Sequence, residues 1–357
     1  HAHLAPAAWL RRERVRSAAR RLLESEERVV DIGFAAGFEA ESVFHRQFLA
    51  LTRMTPGAYR ALKGASVWLL HLPNTYRPDE VFAFHGRDPD SPSERVEGGR
   101  LLKALSLPEG PLGLEITLAP EGAWCRTHEA RRLSPESMAV LHRTALRLLG
   151  LDSDVSAFEA RAARDSAVAR LVGRRRGLRV PLTATSFEGL CWAVIGQQIN
   201  VRFASSLRRE LVTLAGEPVG DMRAHPSPER LAELTPANLT RRRFSRAKAD
   251  YVIGAAREAV TGRLDIERLI ERSAVFAERR LKAVHGVGTW TARYAMLRAG
   301  FADAAPAGDA ALAAALQRLH GAEQRPDPKE SERLMAAFSP HRSLATAHLW
   351  ASLKEAA

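Results

Sequence analysis

LKAVHGVGTWTARYAMLRAGFADAAPAGDAALAAALQRL, residues 281–319, carries the pattern on which the reading of the whole chain turns. Gly286-Val287-Gly288 interrupts one helical pattern, and a second begins at Thr289. Glycines let a backbone come close to a phosphate, and the unpaired N–H groups that open a helix point at it. A lone Gly-Val-Gly is equally a plain interhelical turn. The functional reading is a hairpin between helices that grips a phosphate backbone without reading sequence. Trp290 and Tyr294 stand at i and i+4 and share a helix face, which serves a core as readily as a platform for a planar ligand. Asp309 follows Pro306-Ala307-Gly308 and opens the helix AALAAALQRL. Helix capping alone explains an Asp there. The same backbone donors and helix dipole favour an ionised carboxylate, as a group facing a developing cation must be.

Outward from this stretch, the pattern is helical from about residue 133 to the end, in capped segments such as SPESMAVLHRTALRLLG, SFEGLCWAVIGQQI and RFASSLRRELVTLAG. Residues 66–121 change character. SVWLLHLPNTY, RVEGGRLLKALSL, GLEITLAP and GAWCRTHEA are short β-leaning segments broken by Asn, Gly and Pro, and DPDSPSERVEGG (88–99) reads as a loop. Residues 8–62 read as helices. One carries Leu10, Val15, Ala18 and Leu22 near a 3.6-residue period; a short one spans 29–38 and stops at Gly37; another covers 41–51 with Phe44, Phe48 and Leu51 on one face. A helix, a tight glycine turn and a ten-residue helix make helix-turn-helix geometry, whose outer face would present Glu41, Ser42, His45 and Arg46 to a major groove.

The 357 residues are 46% hydrophobic and 26% charged, enough to bury more than one core. Lys and Arg exceed Asp and Glu by 53 to 41, and only six of the cations are Lys, so the basic surface is guanidinium suited to phosphate. Nucleic acid is the expected polyanionic partner. Two cysteines, Cys125 and Cys191, exclude an all-thiolate zinc site, a four-thiolate iron–sulfur cluster and a disulfide framework. The twelve histidines show no H-x-x-x-H spacing, so no metal site is expected. Phosphate-loop and nucleophile-elbow motifs are missing. No apolar run approaches a membrane span, and HAHLAPAAWLRRERVR has no apolar signal core, so no membrane partner and a cytoplasmic location are expected.

Two resemblances sharpen this. LRRERVRSAARRLL with VVDIGFAAGFEAESVFHRQFLALTRMTPGAYR resembles the linker helix and second helix-turn-helix of the DNA-binding domain of AraC-type regulators; the family's first motif is absent. Residues 281–319 resemble the helix-hairpin-helix/Gly-Pro-rich-loop/Asp superfamily of DNA base-excision glycosylases, and more narrowly its AlkA-type DNA-3-methyladenine glycosylases. GLRVPLTATSFEGLCWAVIGQQINV (177–201), FSRAKADYVIGAAREAVTGRLD (244–265) and FSPHRSLATAHLW (338–350) extend that likeness, with Phe338 and His341 where the family has Trp. The resemblance implies a mainly α fold with one α+β domain. Its parts are a partial helix-turn-helix unit (1–63), a small antiparallel-sheet domain (66–152) and an all-α helix-hairpin-helix glycosylase domain (153–357).

It also implies roles. Asp309 is the catalytic carboxylate, and Trp290, Tyr294 and Trp350 form the base pocket. Gly286, Val287, Gly288, Thr289, Gln197 and Gln198 meet DNA, Gln198 as a wedge in the gap left by a flipped base. His45 and Arg46 would meet DNA from the helix-turn-helix. The activity implied is hydrolysis of the N-glycosidic bond of alkylated bases, of the 3-methyladenine and 7-methylguanine type, in double-stranded DNA. Bifunctional relatives carry Lys where Trp290 stands, so no strand-cleaving lyase is expected. No cofactor is implied beyond a monovalent cation at the hairpin carbonyls of Lys282–Gly286, and a monomer is expected. The rival from another class is a transcription regulator of the alkylation response whose C-terminal part binds damage without cutting it. Asp309 weighs against it, because a pure binder needs no carboxylate facing DNA.

Overall fold

A computed structural model describes residues 6–128 and 132–354. The N-terminal unit holds α1 (Pro6–Glu24), α2 (Val29–Ala35), α3 (Glu41–Thr52) and α4 (Pro56–Arg60). Val15, Ala18, Leu22 and Leu23 of α1 pack on Ile32, Phe44, Phe48 and Tyr59. Leu10 does not join them. It is 45% exposed beside an equally exposed Trp9, and the buried residues of α1 begin only at Val15. Gly37 ends α2 at φ 91°, and Gly33 lies so close under Phe44 that a Cβ would sit 2.7 Å from the ring.

The second region is a five-stranded antiparallel sheet of β1 (Val67–Leu70), β2 (Glu94–Glu97), β3 (Arg100–Leu107), β4 (Gly110–Ala119) and β5 (Gly122–Thr127), in the order β1-β5-β4-β3-β2. The loop expected over 88–99 is half strand. Gly98 and Gly99, at φ 56° and 75°, make a two-residue turn that pairs Glu94–Glu97 with β3. A helix, α5 (Asp79–His85), stands inside the β-leaning stretch, with Asp79 and Glu80 at its positive end. The sheet's inner face, including Leu70, Leu101, Leu112, Leu114 and Ile116, shares one core with the helix-turn-helix and with α6 (Pro135–Leu148). His142 of α6 donates to the Thr52 carbonyl at 2.7 Å and meets Tyr59 edge-on at 4.8 Å, so the N-terminal unit is built into the sheet domain.

The remaining helices enclose a second core. In chain order they are α7 (Ser156–Arg161), α8 (Ser166–Val172), α9 (Ser186–Ile195), α10 (Val201–Ala215), α11 (Pro228–Ala232), α12 (Pro236–Thr240) and α13 (Arg246–Val260), then a 3₁₀ turn (Ile266–Glu271). α14 (Ala274–Lys282), α15 (Thr289–Ala299), α16 (Ala310–His320), α17 (Pro328–Ala336) and α18 (Arg342–Lys354) follow. A two-stranded ribbon, β6 (Pro218–Val219) with β7 (Met222–Arg223), leans on the large sheet through Met222 and Ala104.

A buried charge cluster fastens the sheet to these helices. Lys103 on β3 is 1% exposed and reaches Glu188 of α9 at 2.7 Å and Glu94 of β2 at 3.2 Å. Arg208 of α10 reaches the same two carboxylates at 2.6 and 3.3 Å. Burial would raise both carboxyls, but Lys103 and Arg208 outweigh it and hold them below the usual range. Arg147 of α6 adds a second clamp, donating to the carbonyls of Thr183 and Ala299 at 3.0 and 3.1 Å. Among the described residues no helix is long and apolar enough to cross a membrane.

Candidate active site

The turn between α14 and α15 is the hairpin expected over 286–288. Gly286 takes φ 81°, and a Cβ there would land 2.2 Å from the Tyr251 ring, so only glycine fits. Gly288 caps α15 with extended backbone and open space around it. The opening N–H groups of α15, from Thr289 on, are therefore directed outward from an unobstructed turn. Val287 differs from expectation. Its side chain is buried in the core and its N–H donates to the Val284 carbonyl at 3.1 Å, so it anchors the turn.

Gln197 and Gln198 have separate fates. The Gln197 amide turns inward, donating to the Gly286 carbonyl and the Thr291 hydroxyl, both at 2.9 Å. Lys248 of α13 donates to the carbonyls of Ile195 and Gln197 at 2.8 and 2.7 Å. These bonds fix the α9–α10 turn against the hairpin. Gln198 stands at its exposed tip with φ 57°, a left-handed conformation that costs a non-glycine residue about 1 kcal/mol and projects the side chain from the surface.

Beyond the hairpin, Trp290 and Tyr294 stack at 5.4 Å between centroids with a 34° tilt, and Trp350 of α18 continues the stack at 6.0 Å and 41°. Asp309 caps α16, its Oδ1 accepting from the Leu312 N–H at 2.8 Å and from the Trp350 indole N–H at 3.1 Å. Among the described residues its Oδ2 has no hydrogen-bond partner. The carboxylate is thus aimed by the same indole that ends the aromatic stack.

Four residues that sequence reasoning missed complete this platform. The Tyr294 hydroxyl accepts from the Trp192 indole at 3.2 Å and from Arg298 at 3.4 Å. Arg298 lies over Tyr294 and Trp350, 5.3 and 5.5 Å from their centroids, and over Phe84 at 4.1 Å. Arg87 lies over Phe84 at 3.9 Å and Trp192 at 4.5 Å. Burial would raise the Tyr294 phenol, but Arg298 and Arg87 outweigh it and hold it below its ordinary value. Burial lowers Arg87 to about 10, partly opposed by Glu94. Phe84 and Arg87 come from α5 and the loop after it, so the sheet domain reaches the platform. Arg298 falls one turn after Tyr294, a spacing that was visible; the others meet the site only through contacts roughly a hundred or more residues apart in sequence.

The helix-turn-helix residues lie far from these in the chain. Glu41, Ser42 and Arg46 are exposed on α3, while His45 is half-buried with Nε2 at 3.8 Å from Glu41.

Comparison with known proteins fits this arrangement. A solved 3-methyladenine DNA glycosylase of Archaeoglobus fulgidus superposes with a TM-score of 0.70 at 20% identity, covering 79% of this chain and 97% of its own. An 8-oxoguanine glycosylase/lyase of Clostridium acetobutylicum, in complex with double-stranded DNA, gives 0.64 at 17% identity over 82% and 96%. These show the fold. The model of the HhH-GPD superfamily of base excision DNA repair proteins matches residues 191–341, and a helix-turn-helix domain model matches 1–62. A DNA-3-methyladenine glycosylase of Bacillus subtilis is 33% identical over 205 residues, 56% of this chain and 68% of its own.

The chain belongs to the DNA-3-methyladenine glycosylases.

Within that family it carries an AraC-type helix-turn-helix at its N-terminal end. Over 98% of its length it is 29% identical to a Mycobacterium tuberculosis protein named "Probable bifunctional transcriptional activator/DNA repair enzyme AlkA", covering 72% of that relative. This glycosylase is accordingly a DNA-binding base-excision repair enzyme with two DNA-binding folds in one chain.

Proposed function

We propose that the enzyme hydrolyses the N-glycosidic bond of alkylated bases in duplex DNA, as a monofunctional glycosylase. The observation that carries this reading is the 3.1 Å bond from the Trp350 indole to Asp309, which joins a carboxylate to a three-ring stacking platform. The hairpin at Gly286–Gly288 holds the backbone while the damaged nucleotide is flipped out, a step costing a few kcal/mol. Gln198 fills the gap it leaves. An alkylated purine of the 3-methyladenine or 7-methylguanine type stacks on Trp290, Tyr294 and Trp350. Oδ2 of Asp309 faces the sugar, either stabilising the oxocarbenium-like C1′ or orienting the water that attacks it.

No amine is supplied at the hairpin position where lyase relatives carry Lys, since Trp290 stands there, and an indole forms no Schiff base. Carbonyls of Lys282–Gly286 offer the hard oxygen donors with which a monovalent cation would screen the gripped phosphate. We place the enzyme in the cytoplasm as a monomer, with Ser42 and Arg46 on α3 as a second DNA contact. Release of methylated purines from dimethyl sulfate-treated duplex tests the reading. Release by the wild type and its loss in Asp309→Asn are expected; no release by the wild type would overturn it.

A further inference from the structure

We infer that Arg241 and Arg243, on the loop between α12 and α13, form a second phosphate grip that holds the undamaged strand opposite the lesion. The inference rests on the proposed hairpin grip and on Gln198 as the side chain that fills the gap.

The loop stands beside that side chain. Lys248 of α13 donates to the Gln197 carbonyl at 2.7 Å, and the Tyr251 ring, one turn further on, packs against Gly286. Arg243 precedes α13, and its guanidinium lies 5.1 Å over Phe203 in the first turn of α10, the helix that follows Gln198. Along α13 the order is therefore Arg243, then the turn bearing Gln198, then the hairpin. From residue 243 to 251 the helical rise gives roughly 12 Å. A DNA groove, bounded by the two backbones, is about 6–12 Å wide. A protein that grips one backbone at the hairpin and inserts Gln198 beside it thus presents Arg243 to the other.

The charges of these arginines are not used within the chain. Among the described residues neither Arg241 nor Arg243 has a carboxylate partner, whereas Arg242 between them is held by Glu210 at 2.7 Å and Arg246 by Asp250 at 3.0 Å. Arg241 and Arg243 are exposed and, with Glu210 and Asn238, line an open recess of about 410 Å³. Like charges this close repel one another until an anion enters. Arg243 also takes φ 71°, a left-handed conformation that disfavours a side chain. Apart from glycines, the other described residues with positive φ are Arg53 and Gln198, the latter being the wedge. The Phe203 ring steadies the Arg243 guanidinium, whose N–H groups have no acceptor among the described residues. Such a fork matches a phosphate, which accepts two parallel N–H bonds. Flipping leaves the opposite base without its partner. Holding that strand by its phosphates keeps the gap open while Asp309 acts, without reading sequence.

The test compares binding of the full chain and of the double variant Arg241→Gln/Arg243→Gln to an uncleavable tetrahydrofuran abasic site, in duplex and in the lesion strand alone. The double variant should lose at least tenfold in duplex affinity, and its log–log salt slope should be shallower by roughly 1.8, about 0.9 for each phosphate. Single-strand affinity should stay within twofold. Uncharged methylphosphonates opposite the abasic site should weaken the wild type to the same degree and the double variant little further; in the lesion strand they should weaken both. Arg243→Gly, which suits a positive φ, should keep the fold and still lose duplex affinity. Equal losses on duplex and single strand, unchanged duplex affinity in either variant, or a full further loss from methylphosphonates in the undamaged strand would overturn the inference. Release of methylated purines by the wild type would then leave the proposed function standing. A wild type that releases none would overturn that function, and the inference with it.

Discussion

Asp309→Asn separates the chemical role of this residue from its structural one. Asn caps helices as well as Asp does, so its side-chain oxygen keeps the acceptor for the Leu312 N–H and the Trp350 indole. The fold and the aim of the side chain should be retained, and only the charge is lost. A carboxylate about 4 Å from a developing sugar cation, at an effective dielectric near 20, contributes roughly 4 kcal/mol. That corresponds to about a thousandfold in rate. The assay is single-turnover base release from methylated duplex, with binding followed separately on the same DNA. Affinity should stay level or rise, because a negative charge facing phosphate has been removed. A variant that keeps more than about a tenth of the wild-type rate, a loss under ~1.4 kcal/mol, would refute the assignment. A variant that loses binding in proportion to rate would refute it as well.

Gly288→Val should fold, since a Cβ there meets open space, yet weaken all duplex sequences alike; Gly286→Ala should lower the melting temperature by driving a Cβ into Tyr251. Binding through this hairpin should fall with salt at a log–log slope of roughly −0.9 per phosphate neutralised, and a sequence-selective loss would count against a backbone clamp. Borohydride should trap no covalent adduct with abasic or alkylated duplex, and the product strand should stay intact until alkali is added; an adduct mapping to any of the six lysines would overturn the lyase-free reading. Stability should fall as pH drops from about 6.5 toward 4, because burial holds His142 and His225 at about 4 and only their neutral forms fit the native site. The unfolded chain binds those protons first, so at pH 5 each imidazole should cost on the order of 2 kcal/mol in denaturant melts, and a flat profile from pH 7 to 5 would contradict their burial as neutral rings.

How much of this was readable beforehand depended on the range of the interaction. Trp290 with Tyr294, the Gly286–Gly288 turn and the capping Asp309 are local, and their spacing was visible without a structure. Trp350 came only through its likeness to a terminal motif. The Phe84–Arg87 contribution had no local sign, because α5 is a short helix in a stretch whose neighbours are strands. Glu94–Glu97 was hidden by the Pro, Ser and Asp that precede it, although Gly98-Gly99 followed by the apolar RLLKALSL was the pattern of a tight hairpin. Gln197 and Val287 illustrate the converse: both sit in the right motif, but their side chains hold the hairpin's shape.

The charge cluster between sheet and helices has a consequence for recombination. Glu94 and Lys103 come from one side of that junction, Glu188 and Arg208 from the other, and each side contributes one charge of each sign. A graft that exchanged either half with a relative lacking its pair would keep net neutrality and still bury two ions without their neighbours. Replacing a single member would strand a charge at a cost of about 3–5 kcal/mol. The four positions therefore have to be inherited as a set. The sheet domain, whose α5 and following loop bear Phe84 and Arg87, is thereby constrained to travel with the helices that bear Trp192 and Arg298.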